Sequence, residues 1–356
     1  MWYQSGMNLP PLVTTGTGAR DTAGVIGQGN ATTILYGGND DVLTGVRNGG
    51  RIRFGWWLDR WPGLGIEGEY VGLGQATEEF FRLSNAAGTP TLARPFTNAL
   101  TGLPDAELVA FPNVLSGSIR TQATTQLNGA AFRFRKQLCS SSGCGYSELC
   151  CQTVPTSSRL DGTLGYRFWE LKESLQVQEN LTSLPPDPGT FALTDRFDTR
   201  NQFNGAELGF LWQGRRGWWT LDALMRVGLG NVHQTVTING HTTITQNAVT
   251  TQFPDTGLFA QRTNVGSYDR NQFTAIPEFG ATLGYQLTRR MRLTAGYSLI
   301  YWGNVVRPGD QVDTTVNPNL LAPPINPFVG ALRPQFQFEQ TDYWVQGLNF
   351  GGEFRW

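Results

Sequence analysis

The sequence predicts an all-β fold, a transmembrane antiparallel β-barrel of about ten strands, and three observations predict it. Apolar and polar residues alternate with period two over segment after segment, which is the signature of extended strands with two chemically different faces. The apolar faces end in Trp, Tyr or Phe, and the opposite faces carry Gly, Thr and charges of both signs. Very short turns (WP, GRR, TR) alternate with long connections, as they do between the two rims of an outer-membrane barrel.

Taken in order, the strands fall near 1–8, 49–60, 63–76, 116–136, 158–178, 199–213, 217–236, 270–287, 290–305 and 340–356. The first is weak and reads as a truncated strand; no basic segment followed by an apolar stretch marks a signal peptide there. In the second, Ile52, Phe54, Trp56 and Leu58 share a face opposite Arg51, Arg53 and Asp59. In the third, Leu64, Ile66 and Tyr70 oppose Glu67 and Glu69. Leu160, Leu164, Tyr166 and Phe168 oppose Arg159, Asp161 and Arg167; Ala206, Leu208, Phe210 and Trp212 oppose Glu207. Trp219, Leu221, Ala223, Met225 and Val227 oppose Asp222 and Arg226. Phe279, Ala281, Leu283 and Tyr285 oppose Glu278, and Leu293, Ala295, Tyr297, Leu299 and Tyr301 oppose Arg292. The last strand sets Trp344, Leu348, Phe350, Phe354 and Trp356 against Glu353 and Arg355.

This reading makes residues 1–356 one barrel domain, with long outer loops near 9–48, 77–115, 179–198, 237–269 and 306–339. The even strand number puts both termini on the periplasmic side, together with a cysteine-rich connection at 137–157. The expected lipid face comprises Phe54, Trp56, Phe168, Phe210, Trp212, Leu221, Phe279, Leu283, Tyr297, Phe350, Phe354 and Trp356. The expected lumen charges are Arg51, Arg53, Glu67, Glu69, Arg159, Asp161, Arg167, Glu207, Asp222, Arg226, Glu278, Arg292, Glu353 and Arg355. Their signs balance, and opposite charges fall on adjacent strands: Arg53 beside Glu67 or Glu69, Arg226 beside Glu278. Cross-strand ion pairs bracing a narrow interior are favoured over rows of charge that set a field across a pore.

Composition excludes several classes. A formal charge of −1 lacks the basic face a nucleic-acid binder needs, and two histidines cannot make a His-rich metal site. Charged residues are 15% of the chain, against about 25% in a soluble domain, and Gly is abundant at 44 residues. No apolar run reaches the length of a spanning helix. Of 27 basic residues, two are lysine, Lys136 and Lys172; arginine is better suited to fixed ion pairs. Cys139, Cys144, Cys150 and Cys151 suggest one or two local disulfides in an oxidising compartment; four thiolates on zinc are the rival reading, without a paired CxxC.

Three motifs carry little chemistry. Gly63, Gly65 and Gly68 spell GxGxxG, but they open a strand after a hairpin turn where a dinucleotide loop needs a strand before and a helix after. Asn231, His233 and Thr235 lie where some barrel enzymes hold a catalytic set, but no serine accompanies the histidine, so no enzyme is expected. Asp40 and Asp41, and Asp310 with Asp313, are loop acids for which solvation is favoured over calcium; no metal or cofactor is expected.

Five stretches resemble a known family: LPPLVTTG at 9–16, GGRIRFGWWLDRWPGLGIEGEYVGLG at 49–74, LDGTLGYRFWELKESL at 160–175, residues 260–313, and DYWVQGLNFGGEFRW at 342–356. Through them the chain is similar to the putative beta-barrel porin family number 7, planctomycete outer-membrane beta-barrel proteins. The resemblance implies an outer-membrane barrel and offers no catalytic motif; LPPLVTTG usually follows a longer first strand in that family, and the cysteine cluster has no counterpart. The expected role is a porin-like passive channel for small solutes or ions. The alternative is a closed structural barrel of the cell envelope or a surface array, whose outer loops bind neighbouring proteins. Expected partners are outer-membrane lipid, small solutes or ions, and a second copy or another envelope protein, with no nucleic acid.

Overall fold

The computed structural model describes residues 1–27, 32–38, 40–147 and 152–355. In chain order the strands are β1 (Trp2–Gln4), β2 (Val13–Thr15), β3 (Thr33–Tyr36), β4 (Gly49–Trp57), β5 (Leu64–Leu83), β6 (Leu92–Asn98), β7 (Pro104–Ala110) and β8 (Leu115–Ser147). They continue with β9 (Gln152–Ser183), β10 (Gly189–Arg216), β11 (Trp219–Gln246), β12 (Val249–Pro254), β13 (Gly266–Gln286), β14 (Met291–Val305), β15 (Thr315–Val316) and β16 (Thr341–Phe354). No helix of the described residues is long and apolar enough to cross a membrane, which says nothing about crossing by strands.

The main sheet is antiparallel, with order β1-β16-β14-β13-β11-β10-β9-β8-β5-β4 and β12 paired to β11. It curls strongly. Arg51 on β4 and Glu278 on β13 lie six strand spacings apart in that order, roughly 29 Å along a flat sheet. Their side chains nevertheless meet at 2.8 Å across the concave face. At one end of that order, Trp2 of β1 pairs with Gly347 of β16 and exchanges two backbone hydrogen bonds with Arg47, two residues before β4.

The wall is chemically two-storeyed. Near the short turns, outward positions are apolar (Leu208 and Phe210 on β10; Leu221 and Met225 on β11) and inward ones charged (Glu207, Arg226). Farther along the same strands the pattern inverts. Leu193 and Phe197 on β10, with Val232, Val236 and Ile238 on β11, point inward and are buried. Thr194, Arg196, Thr235 and Thr237 then form the outer face.

A second, five-stranded sheet of order β15-β6-β2-β3, with β7 paired to β6, fills the concave face of the upper storey. Leu9, Leu12, Val13, Leu92 and Val109 of this plug pack in one apolar core with Ile119, Leu175, Phe197 and Val236 of the wall.

The expected loop bounds differ from those observed. The 179–198 connection shrinks to residues 184–188 because β9 and β10 run on as wall. β11 and β12 occupy much of 237–269, and β5, β6 and β7 much of 77–115. The described parts of the cysteine-rich connection, 137–147 and 152–157, form a β8–β9 ribbon: β5 leaves β8 at Lys136, and the ladder with β9 continues to Ser147 and Gln152. Cys139 and Cys144 stand on one extended strand, about 16 Å apart. A disulfide tolerates less than about 7 Å between Cα atoms, so these two cannot pair, and both are exposed free thiols. Cys150 and Cys151 lie outside the described residues, as does Trp356.

Candidate functional site

The interior of the lower storey is an arginine–glutamate layer. Arg133 of β8 meets Glu67 at 2.5 Å, Glu69 at 3.3 Å and Glu207 at 2.7 Å. Arg167 of β9 meets Glu69 and Glu207 at 2.8 Å each, and also pairs with Glu278. Arg226 of β11 reaches Glu67 at 3.2 Å and Glu69 at 3.3 Å. Arg51 closes on Glu278, and Arg53 on Glu69 at 2.7 Å. Charges this deep are tolerable only when paired, and each of these carboxylates is held by two or more guanidinium groups. The fork geometry of arginine lets one cation serve several strands at once.

The sequence makes room for these long side chains. Arg133 lies directly across the ladder from Gly165, and Arg226 from Gly209. A Cβ on Gly165 would come within 2.5 Å of Arg133 Cβ, and one on Gly209 within 2.5 Å of Arg226 Cγ. Below this layer, toward the short turns, Asp161 takes Arg135 at 2.6 Å and Arg159 at 2.7 Å, with Trp57 stacked against both guanidinium groups. Arg292 bridges Asp222 at 2.8 Å and Glu353 at 2.6 Å. Above it lies an apolar layer drawn from many strands of the curled sheet, including Val71, Leu127, Trp169, Phe203, Val232 and Trp302. Arg167 stacks on Trp169 at 4.8 Å and so joins the two layers.

The structure thus gathers the charges singled out from the sequence, all but Arg355, into this layer and the Asp161 and Arg292 groups below it. Arg355 is exposed at the sheet edge and pairs with Glu353. Arg226 sits directly opposite Glu278 in the ladder, as expected, and its guanidinium also reaches across the interior to Glu67 and Glu69. Sequence reading missed Arg133 and Arg135, although the FRFR stretch of Phe132 to Arg135 carries the same alternation. The outward aromatic and aliphatic residues form one exposed band: Phe54, Trp56, Phe210, Trp212, Leu221, Phe279, Leu283, Tyr297, Phe350 and Phe354 are all exposed, and Phe168 is half-buried.

Two clefts, of about 580 and 350 Å³, lie along the upper wall, and neither takes a lining residue from the arginine–glutamate layer. Among the described residues no cluster of acids, histidines and cysteines could hold a metal ion. Asp313 is instead taken by Arg333 at 2.8 Å. His233 is on the outer face beside Asn271, and Thr235 donates to Asp269 at 2.6 Å, so no nucleophile–base pair is formed with the histidine.

The family model described as Putative beta barrel porin-7 (BBP7) matches residues 1–356, and the chain belongs to that family. No curated protein and no solved structure matches it.

Proposed function

We propose, with that membership as the premise, that the chain is an outer-membrane barrel of porin type that is shut in this conformation and passes small solutes or ions when its plug shifts and the ion pairs beneath it exchange partners. The observation that carries the reading is the lower storey, where an exposed apolar band and a buried ionic interior occupy opposite faces of the same strands. Such a wall suits hydrocarbon outside and an enclosed axis inside, because lipid offers no partners to backbone or charge. In this reading the short turns at 58–63, 217–218 and 287–290 and the C-terminus are periplasmic, and the plug and polar upper wall stand outside the membrane.

The filled interior also favours a second reading, a closed structural barrel of the envelope that binds neighbouring proteins through its outer loops. Single-channel recording of the purified protein in a planar bilayer separates the two. Brief, small ohmic steps support the porin reading. Silence over all voltages, with ordered two-dimensional arrays in reconstituted membranes, supports the structural one.

A further inference from the structure

A buried ionic cluster ties the β6–β7 hairpin of the plug to the wall. Arg94, on the plug strand β6, is fully buried and pairs with Glu179 of β9 at 2.6 Å and Asp195 of β10 at 2.8 Å. Its guanidinium lies 4.7 Å from the centre of the Phe259 ring. Glu107 of β7 stands directly across the plug hairpin from Arg94. The carboxyl oxygen Oε2 of Glu107 is sealed from solvent and has no hydrogen-bond partner; Oε2 of Glu179 is in the same state. Asp195 is well served, accepting the backbone N–H of Ala260 at 2.9 Å and of Phe259 at 3.3 Å. The other elements around the cluster bring apolar groups: β8 sets Ile119 across from Glu179, and the 258–260 segment brings Leu258 and Phe259.

One guanidinium thus faces three carboxyls in a dry site. With all three ionised the cluster would carry two uncompensated negative charges, which burial makes prohibitive. We propose that the β6–β7 hairpin is a pH-sensitive latch: the Arg94 cluster retains a proton among its carboxyls, and its loss drives the hairpin away from β9 and β10. Burial pushes the Glu107 carboxyl well above the ordinary range, the neighbouring Glu179 and Asp195 reinforce this, and Arg94 opposes it. Burial raises Glu179 as well, against the pull of Arg94.

The sign follows from proton linkage. The docked plug binds more protons than the released one, so docking is complete in acid and weakens as pH rises above the ordinary carboxylate range. Each pH unit within the titration window lowers the docked-to-released ratio by up to about tenfold per proton lost.

The test is hydrogen exchange read by mass spectrometry on the full chain in detergent, for the amides of 92–110, at pH 5 and pH 8. Protection factors are corrected for the intrinsic pH dependence of exchange. In the wild type, protection of 92–110 is expected to fall at least tenfold more than that of the wall segment 219–230. Glu107→Gln preserves shape without the acid and is expected to remove most of that difference; Glu179→Gln serves as the second variant. Equal pH dependence in the wild type and both variants would overturn the latch. The consequence for conductance rests on the porin reading, but the exchange readout does not. A silent channel whose plug still loosens with pH would sink the pore and leave the latch standing.

Discussion

Replacing Glu69 by Gln asks whether the arginine–glutamate layer is dry. Glu69 is fully buried and touches Arg53, Arg133, Arg167 and Arg226 at 2.7 to 3.3 Å. Glutamine keeps the volume and removes the charge, leaving four guanidinium groups with one carboxylate fewer. Removing one partner of a buried pair costs about 3–5 kcal/mol, because the abandoned charge stays out of water. In a water-filled lumen the same pairs would be worth at most about 1 kcal/mol. The assay is reversible urea unfolding of the barrel in detergent micelles or thin vesicles. With a slope of about 3 kcal/mol per molar urea, the dry layer predicts a midpoint lower by roughly 1–1.7 M at unchanged slope. Glu79→Gln is the internal control: its pair with Arg120 is 3.3 Å long, with side chains 43% and 53% exposed, so a shift near zero is expected. A Glu69→Gln shift no larger than that of Glu79→Gln would refute the dry layer and imply an aqueous lumen.

Two further outcomes follow. Phe350→Arg, on the exposed apolar band, is expected to cost about 2–4 kcal/mol for a vesicle-embedded barrel, whereas Thr194→Arg, on the polar upper wall, should stay within about 0.5 kcal/mol. Comparative urea midpoints in vesicles check both, and equal costs would remove the lipid assignment of the band. In the segment after β14, burial lifts the Asp310 carboxyl from 3.8 to about 6, with Glu173, Glu339 and Asp41 adding and Arg307 opposing. A raised acid stabilises the folded form fully below pH 4 and loses that contribution as pH climbs toward 6. Melting temperature should therefore fall between pH 4 and 7 more in the wild type than in Asp310→Asn, and parallel curves would show that Asp310 titrates normally.

How much of this was legible in the sequence depends on which storey is considered. In the lower storey alternation alone identifies the outward row of β16 through Phe350 and Phe354, and the inward row through Arg167, Glu207 and Arg226. In the upper storey the same strands continue, but the apolar residues change parity. On β11 they pass from Leu221 and Met225 to Val232, Val236 and Ile238. On β9 they pass from Leu164 and Tyr166 to Trp169, Leu171, Leu175 and Val177. A parity change within a strand reads as its end, since a one-residue slip exchanges the two faces. Here it marks a change of surroundings: hydrocarbon-compatible outside and ionic inside below, polar outside and plug inside above. The plug strands were illegible for a different reason. β2, β3 and β15 are two to four residues long, too short for any periodicity, and exist only because the wall's inner apolar face buries them. The ribbon bearing Cys139 and Cys144 escaped notice because its Ser- and Gly-rich sequence has no apolar row, its order coming from the ladder with β9.

On the porin reading, the choice of arginine constrains how the interior could open. Arg133 binds three carboxylates from two strands, β5 and β10, and Arg167 binds three from β5, β10 and β13, so no single strand or loop can withdraw and clear the axis. Lysine, a point charge that sheds its proton readily when buried, could neither span those partners nor remain charged there. Movement of the plug would expose the apolar layer around Phe203 and Trp302, yet the ion pairs below would still bridge the wall. Passage would then depend on guanidinium groups exchanging partners one at a time, since each can release one carboxylate while keeping another. The five arginines Arg51, Arg53, Arg133, Arg167 and Arg226 outnumber the four glutamates Glu67, Glu69, Glu207 and Glu278, leaving the layer one positive charge in excess. On the porin reading, an anion small enough to take a vacated site on an arginine fork has the chemistry to move through such a layer.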